Sequence, residues 1–410
     1  MTGVKLCDKD ECTGCLACYN ACPYDSIIVK KDSEGFVHPE IKKDACQNCG
    51  KCKKSCPILN DQIVVDNQIA FKAWACDEEI LKKSSSGGAF SILSRQVISK
   101  GGYVYGAAFD EDFQLKHLSA HTESELEKLR GSKYLQSFIG KIFVDIKQKL
   151  GDGIPVLFCG TPCQVAGLNM YLGRAEPNLI TIDLVCHGVP SPQVFSTYKK
   201  WLEKENKSAI SSYSFRDKQW SWYRYNTLVT FADNTTLRVK FEDDPWMQGF
   251  LRNYFLRPSC HHCKFANMNR QSDITLADYW ANYCKWWKGE KDNRDSGCSL
   301  ILLNTVKGRK AFEEVKTQMN YYPISIDEVR NSNKAFNRCF SAHPNRAEFW
   351  KDYHSNEISQ VVEKYMYPEQ RIPLKYQFIY KYGKESMPVR VYDISAHIYR
   401  GIKHLLKILR

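Results

Sequence analysis

The 410-residue chain has no apolar run that approaches the ~18 residues a membrane-crossing helix needs, which excludes an integral helical membrane protein. Its first residues, MTGVKLCDK, hold no basic stretch followed by an apolar one, so no secretion leader is expected and the setting reads as cytoplasmic and reducing. No G-x-G-x-x-G opens a strand-turn-helix unit, which removes support for a Rossmann dinucleotide site. A basic stripe along the whole molecule is missing too. Lys and Arg number 58 against 46 Asp and Glu, but residues 371–410 alone hold nine of the former and two of the latter. The rest is nearly balanced, which argues against nucleic acid as a partner.

What the chain has in excess is cysteine, eighteen of them. In a reducing compartment, such a number reads as metal ligation and not as a disulfide framework. Two segments, ECTGCLACYNACP and ACQNCGKCKKSCP, share the spacing C-x2-C-x2-C-x3-C-P at a constant offset of 34 residues. Three thiolates on one tight loop can face one iron-sulfur cube, and the fourth, before proline, turns to the other. The expected ligands are Cys12, Cys15, Cys18 and Cys56 for one 4Fe-4S cluster, and Cys46, Cys49, Cys52 and Cys22 for the second. A zinc-ribbon array would need two ligand pairs and no Cys-Pro crossover. Two cubes in one small module make a one-electron conduit.

From about residue 70, strand-like and helix-like segments alternate. GYVYGAAF, IPVLFCG and LITIDLVCHG read as strands; FIGKIFVDIKQKL, QVAGLNMYL and SPQVFSTYKKWLEKEN read as helices. The fold class expected is α/β (α+β overall): a small two-cluster ferredoxin domain, then a larger mixed or parallel α/β domain. Ligands of such sheets gather beyond the carboxyl ends of the strands. Cys159, Cys163 and Cys186 stand at such ends, and RPSCHHCKFANMN adds Cys260 and Cys263 at metal-ligand spacing. Two of the first three with this pair would make a four-cysteine site, for iron or zinc. Cys7, Cys76, Cys284, Cys298 and Cys339 have no partner spacing and read as small buried hydrophobes.

The ferredoxin pair followed by DSEGFVHPEI, SSSGGAF, GSKYLQS, GTPCQVAG, DLVCHGVPSP, CHHCKFA and SDITLADYWA resembles the coenzyme F420 hydrogenase/dehydrogenase beta-subunit family, over roughly residues 5 to 340. More narrowly, it is similar to ferredoxin-fused members from surface-polysaccharide gene clusters. The resemblance implies FAD, a flavin-proximal third 4Fe-4S cluster on Cys163, Cys186, Cys260 and Cys263, and hydride exchange with coenzyme F420 or another two-electron partner. It leaves out Cys159. It also implies an oxidoreductase fed by a ferredoxin-like donor or another redox partner and acting on a small anionic substrate or a deazaflavin.

Ser84, Ser85, Ser86, Gly87 and Gly88 precede an apolar-periodic segment, and hydroxyls with unhindered N-H groups at a helix start attract a pyrophosphate. An ordinary N-cap is the plainer alternative. Lys133, Tyr134 and Ser137 of GSKYLQS are candidates for the same ligand, with Lys133 neutralising phosphate or reduced-flavin charge. His187 is a candidate proton donor. Asp273 and Asp278 read more simply as turn-forming residues than as ligands. The last segment, ISAHIYRGIKHLLKILR, places its apolar residues on one arc and its cations opposite, which suits peripheral contact with the inner face of a membrane or packing on its own domain.

Domain limits are expected at 1–65 for the ferredoxin, 70–345 for the larger domain with halves near 70–155 and 156–345, and 346–410 for a basic extension. The function expected is an iron-sulfur flavoprotein oxidoreductase. The alternatives are an electron-transfer subunit without its own substrate chemistry, and a zinc-stabilised scaffold.

Overall fold

A computed structural model describes residues 3–62, 67–280 and 295–367. Met1–Met366 form one compact unit. The basic tail segment expected to form an amphipathic helix lies outside the described residues. Among those described, no helix is long and apolar enough to cross a membrane.

The N-terminal module folds as the repeat requires. Helices α1 (Ala17–Ala21) and α2 (Lys51–Lys54) begin at equivalent positions of the two halves. The loops before them share one backbone: Gly14 and Asn48 have φ of 70° and 51°, and Leu16 and Gly50 have φ of 57° and 72°. Leu16 therefore adopts a left-handed conformation that costs a branched residue roughly 1 kcal/mol, and it does so fully buried. Between the halves, β1 (Ile27–Lys31) and β2 (Val37–Ile41) pair as an antiparallel hairpin.

The larger domain is built on an eight-stranded mixed sheet. Its strands are β3 (Ile69–Ala75), β4 (Tyr103–Phe109), β5 (Leu115–Ala120), β6 (Val156–Gly160) and β7 (Leu179–Leu184). A separate three-stranded antiparallel sheet follows, of β8 (Ile210–Asp217), β9 (Asn226–Phe231) and β10 (Thr236–Lys240). Then β11 (Ile274–Asp278), β12 (Ser299–Leu303) and β13 (Met319–Ile324) complete the large sheet in the order β13-β3-β12-β11-β7-β6-β4-β5. Only the central run β11-β7-β6-β4 is parallel; both flanks are antiparallel. The sheet is thus less parallel than the βα alternation alone suggests, because β12 runs against both β11 and β3, β13 against β3, and β5 against β4.

Period-two alternation splits β6 between two cores. Val156 and Phe158 join one apolar cluster with Leu16, Ala17 and Val165, while Leu157 and Cys159 join the main cluster on the other face. The first cluster glues the N-terminal module to the sheet. Two expected elements differ in length. The helix near 138–150 starts only at Ile142, because Phe138 bridges to Lys116 and Gly140 has a positive φ. The strand around 179–188 stops at Leu184, leaving Cys186 in the loop beyond its carboxyl end. The segment after residue 345 does not begin a new unit: the helix Arg346–Ser355 packs Phe349 against Tyr254 and Phe255.

Candidate metal centres and cofactor site

The two halves of the repeat place their sulfurs in separate groups. Cys22, Cys46, Cys49 and Cys52 line one cavity, closed by Val4, Ile27 and Ile41. That is the crossed set expected from spacing, in which Cys22 of the first half joins three cysteines of the second. Cys12, Cys15, Cys18 and Cys56 form the other group, and mutual repulsion raises the thiols of Cys15 and Cys18 beyond what burial already does. Cys7 joins this group: its thiol hydrogen-bonds Cys12 and Cys56 and pulls both below the ordinary thiol range. No spacing rule could have found it.

A third cavity lies beyond the carboxyl ends of β6 and β7, at the place open sheets reserve for ligands. Cys163, Cys186, Cys260 and Cys263 all line it, with Cys339 as a fifth thiol and Thr13 of the N-terminal module in its wall. Cys159 is absent from the lining. One strand position separates it from Phe158, so its thiol points to the opposite face, beside Lys133 and Asp183. Cys163 reaches the cavity because the chain turns after Gly160 into the helix Pro162–Leu172, where the Thr161 N-H donates to Gln164 Oε1 at 2.9 Å and the Thr161 hydroxyl lies 3.2 Å from Cys163 Sγ. The Val189 N-H approaches Cys260 Sγ at 3.5 Å. Burial holds the thiols up, Cys260 to about 12 and Cys263 to about 11. Among the described residues, no three His, Cys, Asp or Glu groups converge on a single-ion site.

Two arginines frame this cavity, and neither was singled out by motif. Arg270 lines it, donates to the carbonyls of Phe265 and Asn267, and pairs with the buried Asp183 at 2.9 Å. Arg257 opens the CHHC segment and is 1% exposed. Its Nε donates to the Cys12 carbonyl at 2.6 Å, its other nitrogens to Gln136 Oε1 at 3.1 Å and the Val37 carbonyl at 3.0 Å, while its own carbonyl accepts the Cys260 N-H at 2.9 Å. One residue thus ties the loop of the first thiol group to the wall of the third. Gly14 must be glycine for this, because a Cβ there would stand 2.7 Å from the Arg257 guanidinium.

His187 is placed with the cysteines and away from the serine loop. It lines the third cavity, stacks on Phe340 at 3.8 Å, and donates Nε2-H to Asn253 Oδ1 at 2.6 Å. The Asn253 orientation follows from its amide nitrogen donating to the Ser341 carbonyl. Burial lowers the His187 ring's proton affinity, and the candidate proton donor's Nε2-H is engaged by Asn253. Asp273 accepts from the Thr181 N-H and hydroxyl, the cross-linking use of a buried aspartate. Asp278 pairs with Arg216.

The serine loop does lead into a helix, Ala89–Ser99, whose N-cap Gly88 has φ 93° and offers no side-chain cap. Its hydroxyls are largely engaged: Ser84 donates to the Ile80 carbonyl, Ser86 to the Cys298 carbonyl, and Ser85 accepts the Ser132 N-H at 2.7 Å. Gly87 is required by packing, since a Cβ would lie 2.3 Å from the Ala73 carbonyl. The structure does not bring the whole GSKYLQS set to this loop. Lys133 Nζ donates to the carbonyls of Lys128, Leu129 and Arg130, capping a helix end, and burial lowers it to about 7. The Tyr134 hydroxyl faces Arg216 at 3.4 Å. Ser137 pairs with His117 Nδ1 at 3.0 Å and accepts from Gln164, inside the sheet domain.

Sequence reading missed two cations here. Lys218 Nζ donates to the Leu81, Ser86 and Ser296 carbonyls. Arg130 is 8% exposed, and none of its three guanidinium nitrogens has a hydrogen-bond partner among the described residues; Glu127 alone stands near, at 3.3 Å. A buried guanidinium without acceptors is costly. An uncapped helix start and an acceptor-starved arginine, joined through Gly131 and Ser132 to Ser85, suit the anionic end of a cofactor.

Residues 155–328 match the family model for the C terminus of the coenzyme F420 hydrogenase/dehydrogenase beta subunit. This beta-subunit segment, less than half of the chain, is what is similar to the coenzyme F420 hydrogenase/dehydrogenase beta-subunit family. The beta-subunit segment thus contains Cys163, Cys186, Cys260 and Cys263 of the third cavity, together with Cys159, but not the fifth thiol, Cys339. Residues 11–59 match a 4Fe-4S dicluster domain, which makes this an iron-sulfur protein with a ferredoxin module ahead of the beta-subunit segment. No curated protein matches the chain. A chain of the F420-reducing [NiFe] hydrogenase complex from Methanosarcina barkeri is 18% identical, with a TM-score of 0.45 over 71% of this chain and 93% of that one.

Proposed function

We propose that the chain is an oxidoreductase that moves single electrons through three 4Fe-4S clusters and delivers them in pairs, by way of FAD, to a small two-electron partner. The observation that carries this reading is the third cavity, where Cys163, Cys186, Cys260 and Cys263 surround one space whose wall includes Thr13 from the loop of Cys12 and Cys15. Four thiols lining one space beside the loop of Cys12 and Cys15 suit a cube that continues the ferredoxin pair, where a single zinc ion would end the chain of redox centres. Ala166 and Phe265 share one apolar cluster with Cys56, and Cys163 and Cys263 pack against it. The path therefore runs from the Cys22/Cys46/Cys49/Cys52 group through the Cys12/Cys15/Cys18/Cys56 group to the third.

FAD, when bound, supplies the pairing of electrons into a hydride. The residues of this chain that fit its anionic end are Arg130, Ser85, Ser86 and the first turn of the helix after Gly88. Lys133 and Lys218 hold the surrounding helix and loop carbonyls in place, and Tyr134 borders the Arg216-Asp278 pair. The two-electron partner is a deazaflavin or a sugar-linked anionic intermediate of surface-polysaccharide synthesis. The basic tail suits work at the inner face of a membrane.

Anaerobic purification followed by iron, zinc and flavin analysis tests the reading. About twelve irons and one FAD per chain, without zinc, are expected for three cubes. About eight irons with one zinc and no flavin would replace it with a ferredoxin fused to a zinc-stabilised domain. Flavin reduced through the clusters, with no turnover on any small molecule, would leave an electron-transfer subunit.

A further inference from the structure

The two thiol groups of the N-terminal module differ in what surrounds them. Cys12, Cys15, Cys18 and Cys56 are all buried, and their loop is covered by Arg257, Gln136 and Gly167. In the other group Cys49 is exposed and Cys22 and Cys46 are half-exposed. Tyr24, also in the lining of that cavity, is 52% exposed. This group therefore faces solvent.

The rim of this group is mainly cationic, since Asp25 beside Tyr24 and Glu40 beside Ile41 are paired with Lys141 and Lys30. Lys42 and Lys43 follow the lining residue Ile41, and Lys51, Lys53 and Lys54 flank the lining residues Gly50 and Cys52. All five are exposed, and none forms a salt bridge with a described residue. The single acid between Ile41 and Lys54 is Asp44. Three of the lysines sit on one helical turn, where like charges repel and each costs side-chain freedom if held. The first half of the repeat has no charged residue at all between Cys12 and Cys22, so the ligand spacing does not ask for these lysines.

We propose that this lysine rim is the docking surface of an acidic one-electron carrier protein, which meets the chain over the cavity of Cys22, Cys46, Cys49 and Cys52. The inference rests on that cavity holding a cube, as proposed above. The exchange transfers one electron from the reduced carrier's centre to the oxidised cube; no bond forms or breaks and no proton moves. A cationic rim round an exposed centre raises the encounter rate of an anionic partner by a factor of about ten to a thousand, and salt removes the advantage. The lysines then have a use that ligation and folding do not give them.

Stopped-flow reduction of the full, cluster-loaded chain tests this. The probe is an acidic plant-type 2Fe-2S ferredoxin, prereduced, with reduced methyl viologen, a cation, as the comparison. The ferredoxin rate constant is expected to fall steeply with added salt, and by about tenfold or more in the triple variant Lys51→Gln/Lys53→Gln/Lys54→Gln. Reduction by methyl viologen should not fall in that variant, and iron content and the low-temperature electron paramagnetic resonance of the cubes should match the parent. The control Lys200→Gln/Lys204→Gln, on the exposed side of a helix in the larger domain, should leave the ferredoxin rate within about twofold. An unchanged ferredoxin rate in the triple variant with its cubes intact overturns the docking surface and leaves the electron path standing. An equal fall in the control variant overturns it as well, reducing the effect to net charge. A parent chain that binds no cube on Cys22, Cys46, Cys49 and Cys52 overturns both.

Discussion

The two halves of the N-terminal repeat share spacing, offset and even backbone angles, yet one is sealed against the beta-subunit segment and the other faces water. Leu16 and Gly50 occupy equivalent left-handed positions. The leucine fills an apolar cluster with Phe158 and Val165, while a side chain on Gly50 would meet nothing within 4 Å. The difference teaches that spacing decides which sulfurs group together, and the residues between the cysteines decide which way the group faces. An uncharged TGCLACYNA stretch packs; a QNCGKCKKS stretch stays wet.

The largest expected effect breaks the pairing itself. Cys22→Ser should remove about four irons and the signal of the outer cube while sparing the inner one, although Cys22 lies in the first half; Cys56→Ser should do the reverse. Loss of the inner signal in the Cys22 variant would show uncrossed ligation. Next in size is Arg257→Leu, which strips the Cys12 and Val37 carbonyls of their donor. It should destabilise the chain by about 3–5 kcal/mol and shift the midpoint potential of the inner cube more than that of the outer one. A uniform shift of both would mean that the arginine acts only on global folding.

The seat of the inner half also makes stability depend on pH. His117 donates Nε2-H to the Cys159 carbonyl and accepts from Ser137, and burial lowers it from 6.5 to about 4. Its folded pKa lies below its unfolded one, so the unfolded chain binds the extra proton between these values. Stability should therefore fall as pH drops from about 6.5 to about 4, by about 3 kcal/mol in all. His117→Gln should flatten that part of the thermal-unfolding profile; an unaltered slope would place the titration elsewhere. Gly167→Ala presses a methyl to 3.0 Å from Cys15 Sγ and should cost about 1–2 kcal/mol, with inner-cube loss accelerated in a chelator. Smallest is Lys53→Ala on the open half, where the melting temperature should move by no more than about 0.5 kcal/mol allows.

Much of this was legible in the sequence. The eight cysteines of the module are grouped by local spacing, and spacing survives folding because each loop carries three of its own ligands. The six expected strands and helices all form, two of them starting later or ending earlier than apolar periodicity suggests. The choice between Cys159 and Cys163 needed more, because it depends on which face of β6 looks at the module. Cys7 and Cys339 stayed hidden for another reason: each meets its thiol neighbours through chain folding alone. Arg257 was visible as a letter beside the CHHC motif, but only the packed structure shows its burial. Lys218 meets the serine loop at Ser86, and Arg130 is tied to it through Ser132, each from more than 40 residues away along the chain, a distance at which composition says nothing about contact. The serine loop itself was half legible: its position before a helix is as expected, but most of its hydroxyls serve the fold.

Arg257 also decides whether the fused pieces could be traded between genes. Its cation is balanced by carbonyls and an amide, two of those oxygens belonging to the N-terminal module. Cut the chain in the segment between β2 and β3, and the beta-subunit segment would keep a guanidinium whose best acceptors had left with the other fragment. The ferredoxin is therefore no cartridge to be plugged into a new host; a recipient would have to supply an arginine at that depth, and a donor would have to survive without one. Inheritance should treat the two pieces as a single unit.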